Sequence, residues 1–172
     1  MRRTMAAVGS SLFFALAPGF VAGVVPWWLT RWQVRDPLPY WAPLRILGVI
    51  LIVAGVSVLI HAFVRFVVEG RGTPAPVAPT ERLVVGGLYR YVRNPMYLAV
   101  VAIIVGQALV LGQPPLVVYA LAVIVAFAAF VHWYEEPTLR QRYGAEYDEY
   151  RRAVPAWWPR LEAWKSADRT SS

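Results

Sequence analysis

The sequence predicts an all-α fold: a polytopic membrane helix bundle of about four transmembrane helices, the last two folded as a tight hairpin, followed by an amphipathic cytoplasmic helix. Three observations carry this expectation. Hydrophobic residues make up 58% of the 172-residue chain and charged residues only 16%, against about 45–50% and about 25% in soluble domains. Residues 4–30, 46–64 and 96–134 contain no Asp, Glu, Lys or Arg. The arginines gather at the ends of these runs. A chain this short has too little interior to hide so much apolar surface from water, so lipid takes it.

A helix needs about 20 apolar residues to cross a hydrocarbon core about 30 Å thick. The first run supplies one span at about residues 5–29. Met1-Arg2-Arg3 resembles the start of a signal peptide, but the run behind it is too long for one and ends in Pro26-Trp27-Trp28. Tryptophan favours the membrane interface, so the segment is expected to be a retained helix, bent at Pro18. The second run supplies a span at about 45–66. The third is about twice the required length and is broken by Gly112-Gln113-Pro114-Pro115. Proline stops a helix and glycine favours a turn, which predicts spans at 96–111 and 115–134. Beyond them, Leu139, Tyr143, Tyr147 and Tyr150 recur at helical intervals. Residues 138–153 are therefore predicted to form one amphipathic helix, on the membrane surface or folded over the bundle. Residues 1–165 make a single domain and 166–172 a frayed tail.

An even number of crossings puts both termini on one side. That side carries 14 of the 17 basic residues, and the other only Arg31, Arg35 and Arg45. The positive-inside rule places both termini in the cytoplasm. The net charge of +7 is read as contacts to anionic membrane lipids. No charged face runs along a soluble domain, so nucleic acid is not the expected partner. Cysteine is absent and His61 and His132 are the only histidines, which excludes thiolate metal sites and argues against imidazole ones. No metal is expected.

The hairpin brings its two outer ends to one face: Tyr89 to Tyr97 on one arm, His132 to Pro137 on the other. Asn94-Pro95 is a strong helix start, and with Arg93 beside it the start can hold an anion. The plainer reading is a simple cap with headgroup-binding arginines. Glu135 and Glu136 should diverge by about 100° on a helix. One then faces the bundle while the other meets water or an arginine, and the plainer reading pairs Glu135 with Arg93 or Arg140. Both histidines are read as structural, and Gly70-Arg71-Gly72 is a weak signal.

Leu88-Tyr89-Arg90-Tyr91-Val92-Arg93-Asn94-Pro95-Met96-Tyr97, the apolar hairpin, Tyr134-Glu135-Glu136-Pro137, then Leu139, Tyr143-Gly144, Glu146-Tyr147, Tyr150 and Val154-Pro155 together resemble the isoprenylcysteine carboxyl methyltransferase family over about residues 70–160. The Asn-Pro-Met-Tyr and Glu-Glu-Pro pieces also resemble the phospholipid N-methyltransferases. Asn94 stands where eukaryotic carboxyl methyltransferases typically carry His. The resemblance implies an S-adenosylmethionine-dependent membrane methyltransferase with its cofactor pocket at the cytosolic end of the last two spans, closed by the C-terminal segment. Tyr89, Arg93, Asn94, Pro95 and Tyr97 would line the pocket from one side, and Glu135 and Glu136, the candidate catalytic residues, from the other. Tyr147, Tyr150 and Arg151 are the expected contacts to the substrate, a lipid or another lipophilic small molecule carrying a carboxylate or an amine. Two rival readings are a membrane reductase using NADPH on a related scaffold and a non-catalytic membrane subunit.

Overall fold

A computed structural model describes residues 16–70 and 83–165. The start of the first predicted span, the loop around Gly70-Arg71-Gly72 and the tail 166–172 lie wholly or partly outside the described residues. The chain is helical, with no strand among the described residues. Helix α1 covers Leu16–Thr30, α2 Ala42–Gly70, α3 Pro95–Leu111 and α4 Pro114–Phe130. Two shorter helices follow, α5 (Glu136–Tyr143) and α6 (Ala145–Ala153). Among the described residues two stretches are long and apolar enough to cross a membrane: Ala42–Arg65, and Pro114–Tyr143, in which α4 runs on into α5. Helices α1 and α3 are apolar but shorter; the 17 residues of α3 reach about 25 Å at 1.5 Å per residue.

The hairpin turn forms where glycine and proline predict it. Gly112 takes φ 62° at the end of α3, and Pro114 opens α4 after Gln113. The positive φ suits glycine, and a Cβ at that position would also run into the Arg35 carbonyl. The segment between α1 and α2 lies against this end of the hairpin and satisfies the last carbonyls of α3, which no helix can satisfy for itself. Trp41 Nε1 donates to Leu109 O at 2.7 Å, Arg45 Nε to Val110 O at 3.2 Å and Arg35 N to Leu111 O at 2.8 Å. Arg45 also pairs with Asp36 at 2.7 Å. It is thus a capping residue, where the sequence reading had it as a headgroup anchor.

The tightest packing joins α2 to α3, running antiparallel along a seam of small residues. Gly48 lies against Gly106 and Gly55 against Ala99, and a Cβ built on Gly106 would stand 2.6 Å from Gly48 O. Ala62, seven residues after Gly55, is fully buried with Met96 and Tyr89. Spacing small residues by seven keeps them on one helix face and lets the backbones approach. In lipid this is the main source of helix association, because hydrocarbon outside is as apolar as hydrocarbon inside.

Among the described residues two π turns interrupt the helices, at Phe20–Val24 in α1 and Val131–Glu135 between α4 and α5. Each ends two residues before a proline, Pro26 or Pro137. Proline has no N–H to give the carbonyl one turn back, so the ladder slips to i→i+5 bonds there: Val25 N–H reaches Phe20 O, and Glu136 N–H reaches Val131 O. The carbonyls that Pro26 leaves without a helical donor are met from other helices: Gln107 Nε2 donates to Ala22 O at 2.6 Å and Tyr119 OH to Val21 O at 2.8 Å. Gln107→Leu is expected to cost about 1 kcal/mol, the usual size of a hydrogen bond between membrane helices. Combined with Pro26→Ala it should cost far less, because residue 26 then supplies the missing donor. Thermal unfolding of the four proteins in one detergent measures the difference.

After the hairpin the predicted single helix 138–153 is two helices. Gly144 takes φ 53° between them, which breaks the α ladder, and the chain turns back over the bundle mouth. Tyr147, Tyr150 and Val154 are buried with Leu83 and Val85, and Leu139 and Tyr143 pack on the same cluster. The amphipathic segment therefore folds onto the bundle instead of lying free on its surface.

Candidate functional site

The outer ends of the hairpin meet. Arg93, two residues before α3, donates from Nη1 to Glu136 Oε1 at 2.6 Å and to Tyr147 OH at 3.1 Å, and from Nε to Val154 O at 2.9 Å. The Arg93 and Glu136 side chains are 11% and 14% exposed, so solvent screens little of their attraction. Arg151, more exposed, reaches the second Glu136 oxygen at 3.3 Å. Glu135 accepts from Tyr97 OH at 2.8 Å, and Arg140 pairs with Asp148 instead.

Glu135 faces the bundle at Tyr97 and Glu136 meets arginines, as the first of the two sequence readings expects. The plainer pairing of Glu135 with Arg93 or Arg140 does not form: Arg93 takes Glu136 and Arg140 takes Asp148. The π turn at Val131–Glu135 is the physical reason: it winds more loosely than an α-helix, so adjacent side chains diverge by less than the roughly 100° of an α-helix. Pro137, which produces that turn, is why the Glu-Glu-Pro order matters.

The Asn94 side chain does not cap α3. It makes no cap hydrogen bond; its Nδ2 donates to Ala156 O at 3.2 Å. This contact belongs to a strap, residues 153–164, that runs back along residues 90–94. Arg93 N donates to Pro155 O, Arg160 N to Tyr91 O and Trp164 N to Arg90 O, all at 2.9–3.0 Å. Arg90 Nε donates to Trp164 O at 2.7 Å, and Arg160 Nη1 to Ala153 O at 2.8 Å. Arg90 and Arg160 thus bond within the protein, where their placement in the sequence suggests lipid anchors. Tyr150 OH donates to Tyr89 O at 2.6 Å. Burial pushes the phenols of Tyr147 and Tyr150 above their ordinary range, so at neutral pH both remain protonated.

A small polar cavity of about 70 Å³ lies at this junction, lined by Tyr89, Arg93, Asn94, Glu135, Glu136, Tyr147 and Tyr150 with Leu83, Val84, Val131 and Leu139. Of the residues singled out in the sequence, Tyr97 reaches it through Glu135, and Arg151 through Glu136. Pro95 faces away, into an apolar groove of about 450 Å³ between α2 and α3. Residues 88–95 form the wall between the two: Leu88, Tyr91, Val92 and Pro95 face the groove, and Tyr89, Arg93 and Asn94 face the polar cavity. The resemblance implies closure by the C-terminal segment; what sequence reasoning missed is that the segment pairs with residues 90–94. Pro155 and Pro159 mark an extended segment, but nothing in their spacing names residues 90–94 as its partner.

The described residues hold no group of three or more His, Cys, Asp or Glu placed to bind a metal ion. No curated protein and no solved structure matches the chain. The phospholipid methyltransferase family model matches residues 43–146, from the start of α2 to the start of α6 and across both arms of the charged junction. With more than half of its length matched, the chain belongs to the phospholipid methyltransferase family.

Proposed function

We propose that this protein transfers a methyl group from S-adenosylmethionine to a lipophilic acceptor held in the membrane. The observation that carries this reading is the meeting, inside the family-matched region, of Arg93 with Glu136 and of Tyr97 with Glu135. The donor set suits the cofactor chemically. Arg93 beside the α3 start matches an α-carboxylate, Glu135 or Glu136 matches an ammonium or ribose hydroxyls, and Tyr89 and Tyr97 offer ring faces to a cation. Asn94 completes the polar wall. The cavity of about 70 Å³ is well below the roughly 300 Å³ at which ligand pockets begin, so the strap must yield to admit a ligand.

When bound, the cofactor supplies the electrophilic methyl group. The protein's own task is alignment and exclusion of water. Holding two reactants in line is worth on the order of 7–11 kcal/mol. Tyr147, Tyr150 and Arg151 close the junction from the tail side, where the acceptor's polar head would sit. A carboxylate acceptor needs no base. An amine acceptor must lose a proton to free its lone pair before it attacks, and Glu135, Glu136 or a water takes that proton. In the membrane we place four crossings, with both termini and the junction on the cytoplasmic side, in accord with the 14-to-3 division of basic residues.

Calorimetric titration of the purified protein tests this. S-adenosylhomocysteine should bind at micromolar concentration and NADPH poorly, and Glu135→Gln should weaken the former by about 1–3 kcal/mol. Tight NADPH binding without S-adenosylhomocysteine binding would replace this reading with the reductase. Binding of neither would leave a non-catalytic subunit.

A further inference from the structure

The strap has two sides. Toward the bundle, Arg160 N–H and Trp164 N–H donate to Tyr91 O and Arg90 O. Two tryptophan rings face the same way: Trp157 stands 6.5 Å from the Tyr97 ring, and Trp164 stands 5.4 Å from the Tyr150 ring. Between those two rings the strap turns two large apolar side chains outward. Trp158 is 80% exposed and Leu161 100%. Neither touches the charged junction. Single apolar residues on a surface are common, so the position of this pair decides what it means.

Pro159, next to Trp158, lies beside Val58 of α2 and Leu98 of α3. Val58 is well inside the stretch of α2 that is long and apolar enough to cross a bilayer. The middle of the strap therefore sits at the level where an apolar span enters lipid, not above it in water. Trp133, in the π turn just before Glu135, is 76% exposed at the same end of the bundle. Tryptophan favours that boundary. The charges fit it too. Within residues 151–165 the exposed ones are Arg151, Arg152 and Lys165 against Glu162, a balance that anionic headgroups attract.

We propose that Trp158 and Leu161 seat in the interface of the leaflet on the junction's side, so that the bilayer itself holds the strap down on the bundle. The strap must yield before a ligand can enter the cavity. Each opening then withdraws two apolar side chains from lipid into water, which opposes it. Lipid thus adds to the hydrogen bonds at residues 90–94 a hold that no contact within the chain supplies. The inference stands whatever the junction binds.

The chain has no cysteine, so Trp158→Cys and Leu161→Cys each take a single nitroxide label. The full chain is placed in nanodiscs of phosphatidylethanolamine and phosphatidylglycerol. Power saturation then compares collisions with oxygen, which concentrates in lipid, and with a water-soluble nickel chelate. Val53→Cys on the exposed face of α2 gives the lipid reference, and Glu149→Cys on α6 the water reference. Labels at 158 and 161 should favour oxygen, as the Val53→Cys label does. In the same nanodiscs the double variant Trp158→Ser, Leu161→Ser should exchange the amide hydrogens of residues 160–164 several-fold faster than wild type. Its α3 amides should exchange as in wild type, which shows that the bundle is folded. Labels that meet the nickel chelate as freely as the Glu149→Cys label overturn the proposal. So do labels shielded from both reagents, which would place another protein or a second copy of the chain on this surface. Equal strap exchange in the double variant and wild type overturns the hold by lipid.

Discussion

Arg93→Ala should abolish methyl transfer and lower stability by about 3 kcal/mol. Removing one partner of a largely buried pair strands the other charge, which typically costs about 3–5 kcal/mol. The low end applies because Arg151 still reaches Glu136. The same change frees the Val154 carbonyl and the Tyr147 hydroxyl, so the strap loses one of its main attachments to the bundle. Arg93→Lys keeps the charge but cannot span these partners with a planar fork; it should recover part of the stability and little of the cofactor binding. A double-mutant cycle with Glu136→Gln isolates the pair. Thermal unfolding reads the stability and calorimetry the S-adenosylhomocysteine affinity. An Arg93→Ala protein that binds S-adenosylhomocysteine as wild type does would remove Arg93 from the proposed site.

Gly106→Ala should be nearly as damaging, through a different cause. A single added methyl would stand 2.6 Å from Gly48 O and 2.7 Å from Ile52 Cγ1. A backbone carbonyl cannot rotate away as a side chain can, so α2 and α3 must separate. Overpacking of this kind typically costs about 1–3 kcal/mol, and Gly106→Leu more. The expected outcome is a fall in the unfolding midpoint together with loss of S-adenosylhomocysteine binding, because α3 carries the Asn94–Tyr97 end of the junction on the same rigid rod. Ala102→Ser, one turn away and partly exposed, should leave the midpoint nearly unmoved. A Gly106→Ala protein as stable as wild type would show that the seam has slack.

The helices were legible in the sequence because their signal is length and composition. Gly112-Gln113-Pro114-Pro115 marks the hairpin through the conformations those residues allow, and the hairpin alone brings Arg93 and the glutamates to one face. What the sequence hid are hydrogen bonds whose partners are backbone. The usual reading of Asn before Pro is a cap, and here the amide serves Ala156. The prolines at 26 and 137 suggest interruptions, yet whether a helix kinks or widens depends on which neighbours can take the freed carbonyls. Gln107 and Tyr119 do so around Pro26. The order of the two glutamates in space follows from the π turn before Pro137, and the proline alone does not say whether the helix widens or kinks there.

The strap also dictates an order of assembly. The helix ends that carry Arg93 and Glu136 precede residues 153–164 in the chain, so the backbone of residues 90–94 takes its partners from a segment that comes after both. Closure of the junction therefore depends on contacts more than 60 residues apart in sequence, the slowest kind to form. A newly inserted molecule would pass through a stage with its hydrocarbon parts settled and its charged face still wet, and would gain its ligand-ready shape only when the later segment comes down upon it.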